Sequence, residues 1–129
     1  HKIKASNSEA ILSTTLIAQE SDDYIKLLHD WPSWIEQGLV DEFYLWFRTN
    51  SDLNDLAKQM SHVASINSSR VPLIAELSCY HPGSFQEPQS LLEAAKVALD
   101  NGADGVGVYR SHAVEQLDMW RTIENISRL

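Results

Sequence analysis

The chain has a single cysteine, no run of basic residues and no long apolar stretch, and each lack removes a class of protein. Cys79 alone excludes an internal disulfide, although it leaves the redox compartment, and hence the localisation, open. Ten Lys and Arg stand against 18 Asp and Glu, a net charge of −8. No cationic face is therefore expected for nucleic acid or an anionic membrane, and by charge alone neutral or cationic ligands suit the chain. No apolar segment approaches the roughly 20 residues that span a bilayer, so no membrane insertion is expected. The opening residues also lack the pattern of a signal peptide. What is present is hydrophobic material, 43% of 129 residues, enough for one domain with a sizeable core.

Four short segments read as strands, each followed by a helix-like stretch. The first covers residues 11–18, rich in Ile, Leu and Thr, after a loose lead-in that ends before Ser8. Residues 22–28 suit a short helix, and Asp30-Trp-Pro-Ser-Trp-Ile-Glu starts another, with Asp30 as N-cap, Pro32 in the first turn and Gly38 as the stop. The second strand spans residues 42–48. Leu53, Leu56, Met60, Val63 and Ile66 then recur at helical spacing as a core-facing stripe. The third strand starts at Pro72 and runs into a loop, Tyr80-His-Pro-Gly-Ser-Phe-Gln-Glu-Pro88, of a length that usually serves function. Ser90 is expected to cap the next helix, which ends at Asn101-Gly102. The fourth strand, from Gly105, leads to a last helix capped by Ser111 and carrying Val114, Leu117, Trp120, Ile123 and Ile126.

Two helix-to-strand joints look alike, Gln37-Gly-Leu-Val-Asp41 and Asn101-Gly-Ala-Asp104, each with Gly at a helix end and Asp just ahead of a strand. The expected fold class is α/β in a single domain: four consecutive βα units with parallel strands, half of a (β/α)8 TIM-type barrel. A closed barrel needs eight strands and typically about 250 residues. The implied partner is accordingly the missing barrel half or a second copy in a homodimer. An open doubly wound sheet is the alternative.

Alternation sorts each strand into two faces. Phe43, Leu45 and Phe47, with Leu73, Ala75 and Leu77, and Val106 and Val108, form an apolar set that should lie under helices. Opposite stand Ser13, Thr15, Ile17 and Gln19; Tyr44, Trp46 and Arg48; Glu76, Ser78 and Tyr80; and Gly105, Gly107 and Tyr109. Rings offer flat apolar faces to the C–H side of a sugar, while Arg, Glu, Gln and Ser bond its hydroxyls, so this second set suits an oligo- or polysaccharide. It equally suits ordinary satisfied interior residues.

Glu76 is the sharpest position, because a carboxylate within Leu-Ile-Ala-Glu-Leu must be paired, protonated or functional. As a glycosidase acid or nucleophile it needs a second carboxylate about 5 to 10 Å away, and Glu20 is the nearby strand-end candidate. An interior ion pair with Arg48 or Arg110 is the structural alternative. Cys79 and His81 fall short of the three or four ligands of a metal site, and neither a metal nor a cofactor is expected. Arg110, Ser111 and His112 are where a phosphosugar aldolase or isomerase barrel would hold phosphate.

Residues 30–41, Asp-Trp-Pro-Ser-Trp-Ile-Glu-Gln-Gly-Leu-Val-Asp, resemble the bacterial glycoside-hydrolase-like (β/α)8 barrel family, in which an Asp-Trp, a second Trp and Gly-Leu-Val-Asp lead into an aromatic strand. The strand before them and Asn101-Gly-Ala-Asp-Gly-Val-Gly-Val108 fit the same pattern. The resemblance implies the carboxyl-terminal half of a barrel, strands five to eight, that binds or cleaves glycosidic bonds, often outside the cytoplasm. Joined to the reading of the strand faces, the candidates are Glu76 and Glu20 for catalysis, and Gln19, Tyr44, Trp46, Arg48, Ser78, Tyr80, His81, Tyr109 and Arg110 for sugar contact. The family's strand-four carboxylate motif has no counterpart in this sequence. The accompanying alternative is a non-catalytic carbohydrate-binding or assembly module.

Overall fold

The computed structural model describes residues 2–17, 30–47 and 51–129. Helix α1 (Lys2–Ser6) precedes β1 (Ser13–Ile17), then α2 (Trp31–Glu36), β2 (Glu42–Phe47), α3 (Leu53–Asn67), β3 (Leu73–Ser78), α4 (Pro88–Asp100), β4 (Gly105–Tyr109), α5 (Ser111–Gln116) and α6 (Trp120–Ile126). The strands form one parallel sheet in the order β1-β2-β3-β4. The expected helix over residues 22–28 lies outside the described residues. Among the described residues no helix is long and apolar enough to cross a membrane.

The apolar alternation is realised on one side of this sheet. Phe43, Leu45, Leu73, Ala75 and Leu77 are at most 1% exposed, and they meet Leu56, Met60 and Val63 of α3 and Leu91, Ala94, Ala95 and Ala98 of α4 in one core. Trp31 of α2 sets its ring edge-on to Phe43, with centroids 6.1 Å apart. The helices touch in sequence, α2 against α3, α3 against α4 and α4 against α6, so they make a single layer. Among the described residues the other face of the strands carries no such helical cover, and Tyr44, Trp46, Ile74, Glu76 and Tyr109 there are only half-buried.

The repeated Gly-to-Asp joint has a physical basis at the amino ends of the strands. Asp41 accepts a hydrogen bond from Leu12 N–H on Oδ2 (2.7 Å) while its own N–H donates to Leu12 O (2.8 Å). Asp104 makes the same pair with Leu73, at 2.9 and 2.8 Å. Each aspartate thus ties the start of its strand to the start of the preceding one. Lys4 of α1 also pairs with Asp41 (2.7 Å), and these contacts hold the Asp41 carboxyl below its ordinary range. Between β2 and β3 there is no such aspartate: Phe43 N–H donates to Pro72 O (2.9 Å), and the Asn67 side chain bonds both N–H and C=O of Val71 to shape the turn from α3 into β3.

Several boundaries differ from the sequence-based expectation. The lead-in contains the short helix α1. The strand expected over residues 11–18 contracts to β1. Asp30 is at the N-cap of α2 but makes no side-chain capping bond, and Pro32 removes one of the two N–H groups that such a bond would use. Helix α4 begins at Pro88, so Ser90 is not its cap; it lies inside the first turn with its hydroxyl donated to Glu87 O (2.8 Å). The single last helix is in fact two. Asp118 takes a left-handed conformation (φ 51°) and Met119 N–H bonds Val114 O (2.8 Å), which ends α5 and buries Met119 completely. Ser111 is the first residue of α5, not its cap.

Both joint glycines have positive φ, 62° at Gly38 and 102° at Gly102, and there they differ. A Cβ on Gly38 would meet nothing within 4 Å, whereas one on Gly102 would lie 2.7 Å from Ala64 Cβ. Gly38→Ala should therefore cost about 1 kcal/mol, the strain of a left-handed alanine. Gly102→Ala should lose a further 1–3 kcal/mol or so through overpacking against α3. Urea unfolding should show two different midpoints at an unchanged slope, and equal losses would contradict this packing.

Candidate functional site

The uncovered face is built by register. Pairing aligns Ile17 with Trp46, Trp46 with Glu76, Glu76 with Gly107, and Ser78 with Tyr109, so these residues share one side toward the carboxyl ends of the strands. Ligands of parallel α/β sheets bind at this end. At Gly107, the register partner of Glu76, a Cβ would come no closer than 3.8 Å to Ile74 Cγ2, ordinary contact, so packing does not demand glycine there. Ile74, two residues before Glu76, belongs to the same face and was not among the expected site residues, although the alternation signals it.

The rings converge at the ends of β2, β3 and β4. Trp46 lies 6.0 Å from Tyr109, edge-on, and 6.2 Å from His81. His81 stacks on Tyr109 with planes 9° apart, and Tyr80 meets both. The loop after β3 is folded to present them. Ser78 is fully buried, and its Oγ accepts from the Tyr80 and His81 N–H groups. Ser84 donates its hydroxyl to His81 O (2.6 Å), and Phe85, 1% exposed, anchors the far side. Ser78 therefore shapes the turn that carries the rings. Cys79 N–H donates to Tyr109 O (2.9 Å), which ties the loop to β4.

Arg110 caps the cluster, its guanidinium carbon 3.9 Å from the centre of the Tyr80 ring. The interior pair between Glu76 and Arg110 offered by the sequence is not made, and Lys4–Asp41 is the ion pair among the described residues. Arg48, Gln19 and Glu20 lie outside the described residues. Glu76, unpaired there, has its carboxyl pushed above the ordinary value of 4.5 by burial. Burial also raises the Cys79 thiol, which suits a structural rather than a nucleophilic cysteine. Ser111 and His112, the phosphate-site candidates, are exposed at the start of the six-residue α5. Among the described residues no cluster of three or more His, Cys, Asp or Glu side chains is placed to hold a metal ion.

No family model, curated protein or solved structure matches this chain.

A carboxyl whose folded-state pKa is raised binds its proton more tightly in the folded state. Its presence therefore destabilises the fold as pH rises above 4.5 and has no such effect below it. Glu76→Gln should raise the melting temperature at pH 7.5, and the gain should vanish near pH 4. Equal melting temperatures at pH 7.5 would mean that Glu76 is not desolvated.

Proposed function

We propose that this chain supplies four neighbouring βα units of a glycoside-hydrolase-like (β/α)8 barrel, with the uncovered face as part of the wall of its carbohydrate-binding chamber. The observation that carries the proposal is the concentration of Trp46, Tyr80, His81 and Tyr109 at the carboxyl ends of the strands, with Glu76 beside Trp46 in register, on the face that no described helix covers. Consecutive strand order with one helical layer favours a barrel wall, because a doubly wound sheet reverses its order and carries helices on both faces.

Stacked and edge-on rings give a sugar flat apolar surfaces. Burial keeps the Glu76 carboxyl protonated to higher pH, the condition a general acid needs to protonate a leaving glycosidic oxygen. Hydrolysis needs a second carboxylate. The uncovered face has one other acidic residue among the described ones, Glu42, and it lies at the amino end of β2. Catalysis on this reading draws its second carboxylate from Glu20 or from the remaining barrel units. A non-catalytic carbohydrate-binding module is the second reading, favoured by that same lone carboxyl. The phosphosugar reading is less well served, since residues 109–112, Tyr-Arg-Ser-His, lack a glycine-rich turn to surround a phosphate.

Titration calorimetry of the full chain with soluble oligosaccharides should show saturable binding. Tyr109→Ala and Trp46→Ala, each checked for folding by circular dichroism, should weaken it about tenfold, the equivalent of one lost stacking contact. Glu76→Gln should retain binding and abolish any turnover. Binding indifferent to both ring removals would contradict the proposal.

A further inference from the structure

Among the described residues the positive end of the ring cluster has no anion to match it. Arg110 Nε and His81 Nε2 are both buried and without a hydrogen-bond partner. No carboxylate among the described residues pairs with Arg110, whose guanidinium lies against the Tyr80 ring. A partly buried guanidinium lacking a counter-ion is costly, and a buried N–H with no acceptor adds to that cost. Both groups are held in place by packing: His81 is stacked on Tyr109, and Arg110 is seated on Tyr80, which itself meets His81. The arrangement leaves an unpartnered guanidinium nitrogen and an unpartnered imidazole nitrogen on residues that both pack against the Tyr80 ring.

We propose that this site takes an acidic sugar, whose carboxylate accepts from Arg110 and from His81 in the tautomer that carries hydrogen on Nε2 while its ring lies against the aromatic platform. The inference deepens the carbohydrate reading above and rests on it. Guanidinium suits the role because its planar fork matches a carboxylate and it remains charged at any relevant pH. The net charge of −8 does not oppose this, because a screening length of about 8 Å in physiological salt confines the distant acidic surface while the contact pair is felt in full. A phosphate on a sugar shares the anionic chemistry. The uronate is favoured because 109–112, Tyr-Arg-Ser-His, lacks the glycine-rich turn with which phosphate sites surround their ligand.

The test compares trigalacturonate with its fully methyl-esterified form, the same sugars and linkages without charge, by titration calorimetry on the full chain. Trigalacturonate should bind at least tenfold more tightly, and its advantage should shrink as salt rises from 20 to 300 mM or so. Arg110→Gln should weaken the acid at least tenfold more than it weakens the ester, and Arg110→Lys should restore part of the acid's advantage. Equal binding of acid and ester, or equal weakening of both by Arg110→Gln, overturns the inference and leaves the carbohydrate reading standing. Failure of both trisaccharides and of neutral oligosaccharides to bind overturns both. Tighter binding of galactose 6-phosphate or inorganic phosphate than of trigalacturonate overturns the carboxylate assignment in favour of phosphate.

Discussion

Strands β1, β2 and β3 bury the same side, and β4 adds Val106 and Val108 to it, only partly buried. Phe43 and Leu45 of β2, and Leu73, Ala75 and Leu77 of β3, are sealed beneath α3 and α4, and each full burial of such a side chain is worth roughly 1.5–3 kcal/mol. Because side chains alternate, fixing that side fixes the other as well. Tyr44, Trp46, Glu76 and Tyr109 must then stand together on the opposite face, and a one-residue slip in any strand would exchange the two sets. The candidate site is thus a consequence of core packing one atom layer away.

The register itself is held at the amino ends. Asp41 on Leu12 and Asp104 on Leu73 apply the same two-bond tie at two joints, with Asn67 and Val71 between them. At the carboxyl ends the loops do other work: Ser78 and Ser84 curl the segment after β3 so that Tyr80 and His81 reach Tyr109 and Arg110. One end of the sheet maintains alignment and the other presents chemistry, the division of labour usual for parallel βα folds.

Much of this was legible in the sequence because it follows from short periods. Period two separated Leu73, Ala75 and Leu77 from Glu76 and Ser78, and the Gly-to-Asp spacing marked both joints before any bond was known. The break between α5 and α6 was not legible, since Val114, Leu117, Trp120 and Ile123 keep a helical spacing while the buried residue, Met119, falls off it. Leu117 and Trp120 are instead 38% and 52% exposed. Nor could periodicity foresee that Arg110 would rest on Tyr80 rather than pair with Glu76, because that choice depends on how the loop after β3 folds in three dimensions. Whether Glu20 approaches Glu76 lies outside the described residues.

The central claim is that the uncovered face, and not the helical side, receives the ligand. The four tryptophans supply an internal control: Trp46 is on that face, Trp31 and Trp34 belong to α2, and Trp120 lies beyond β4 in α6. In a nitrogen-15 NMR titration with an oligosaccharide, the Trp46 indole resonance should shift saturably while those of Trp31, Trp34 and Trp120 stay within the line width. A saturable shift at Trp120, Trp31 or Trp34 with Trp46 unmoved would contradict the account.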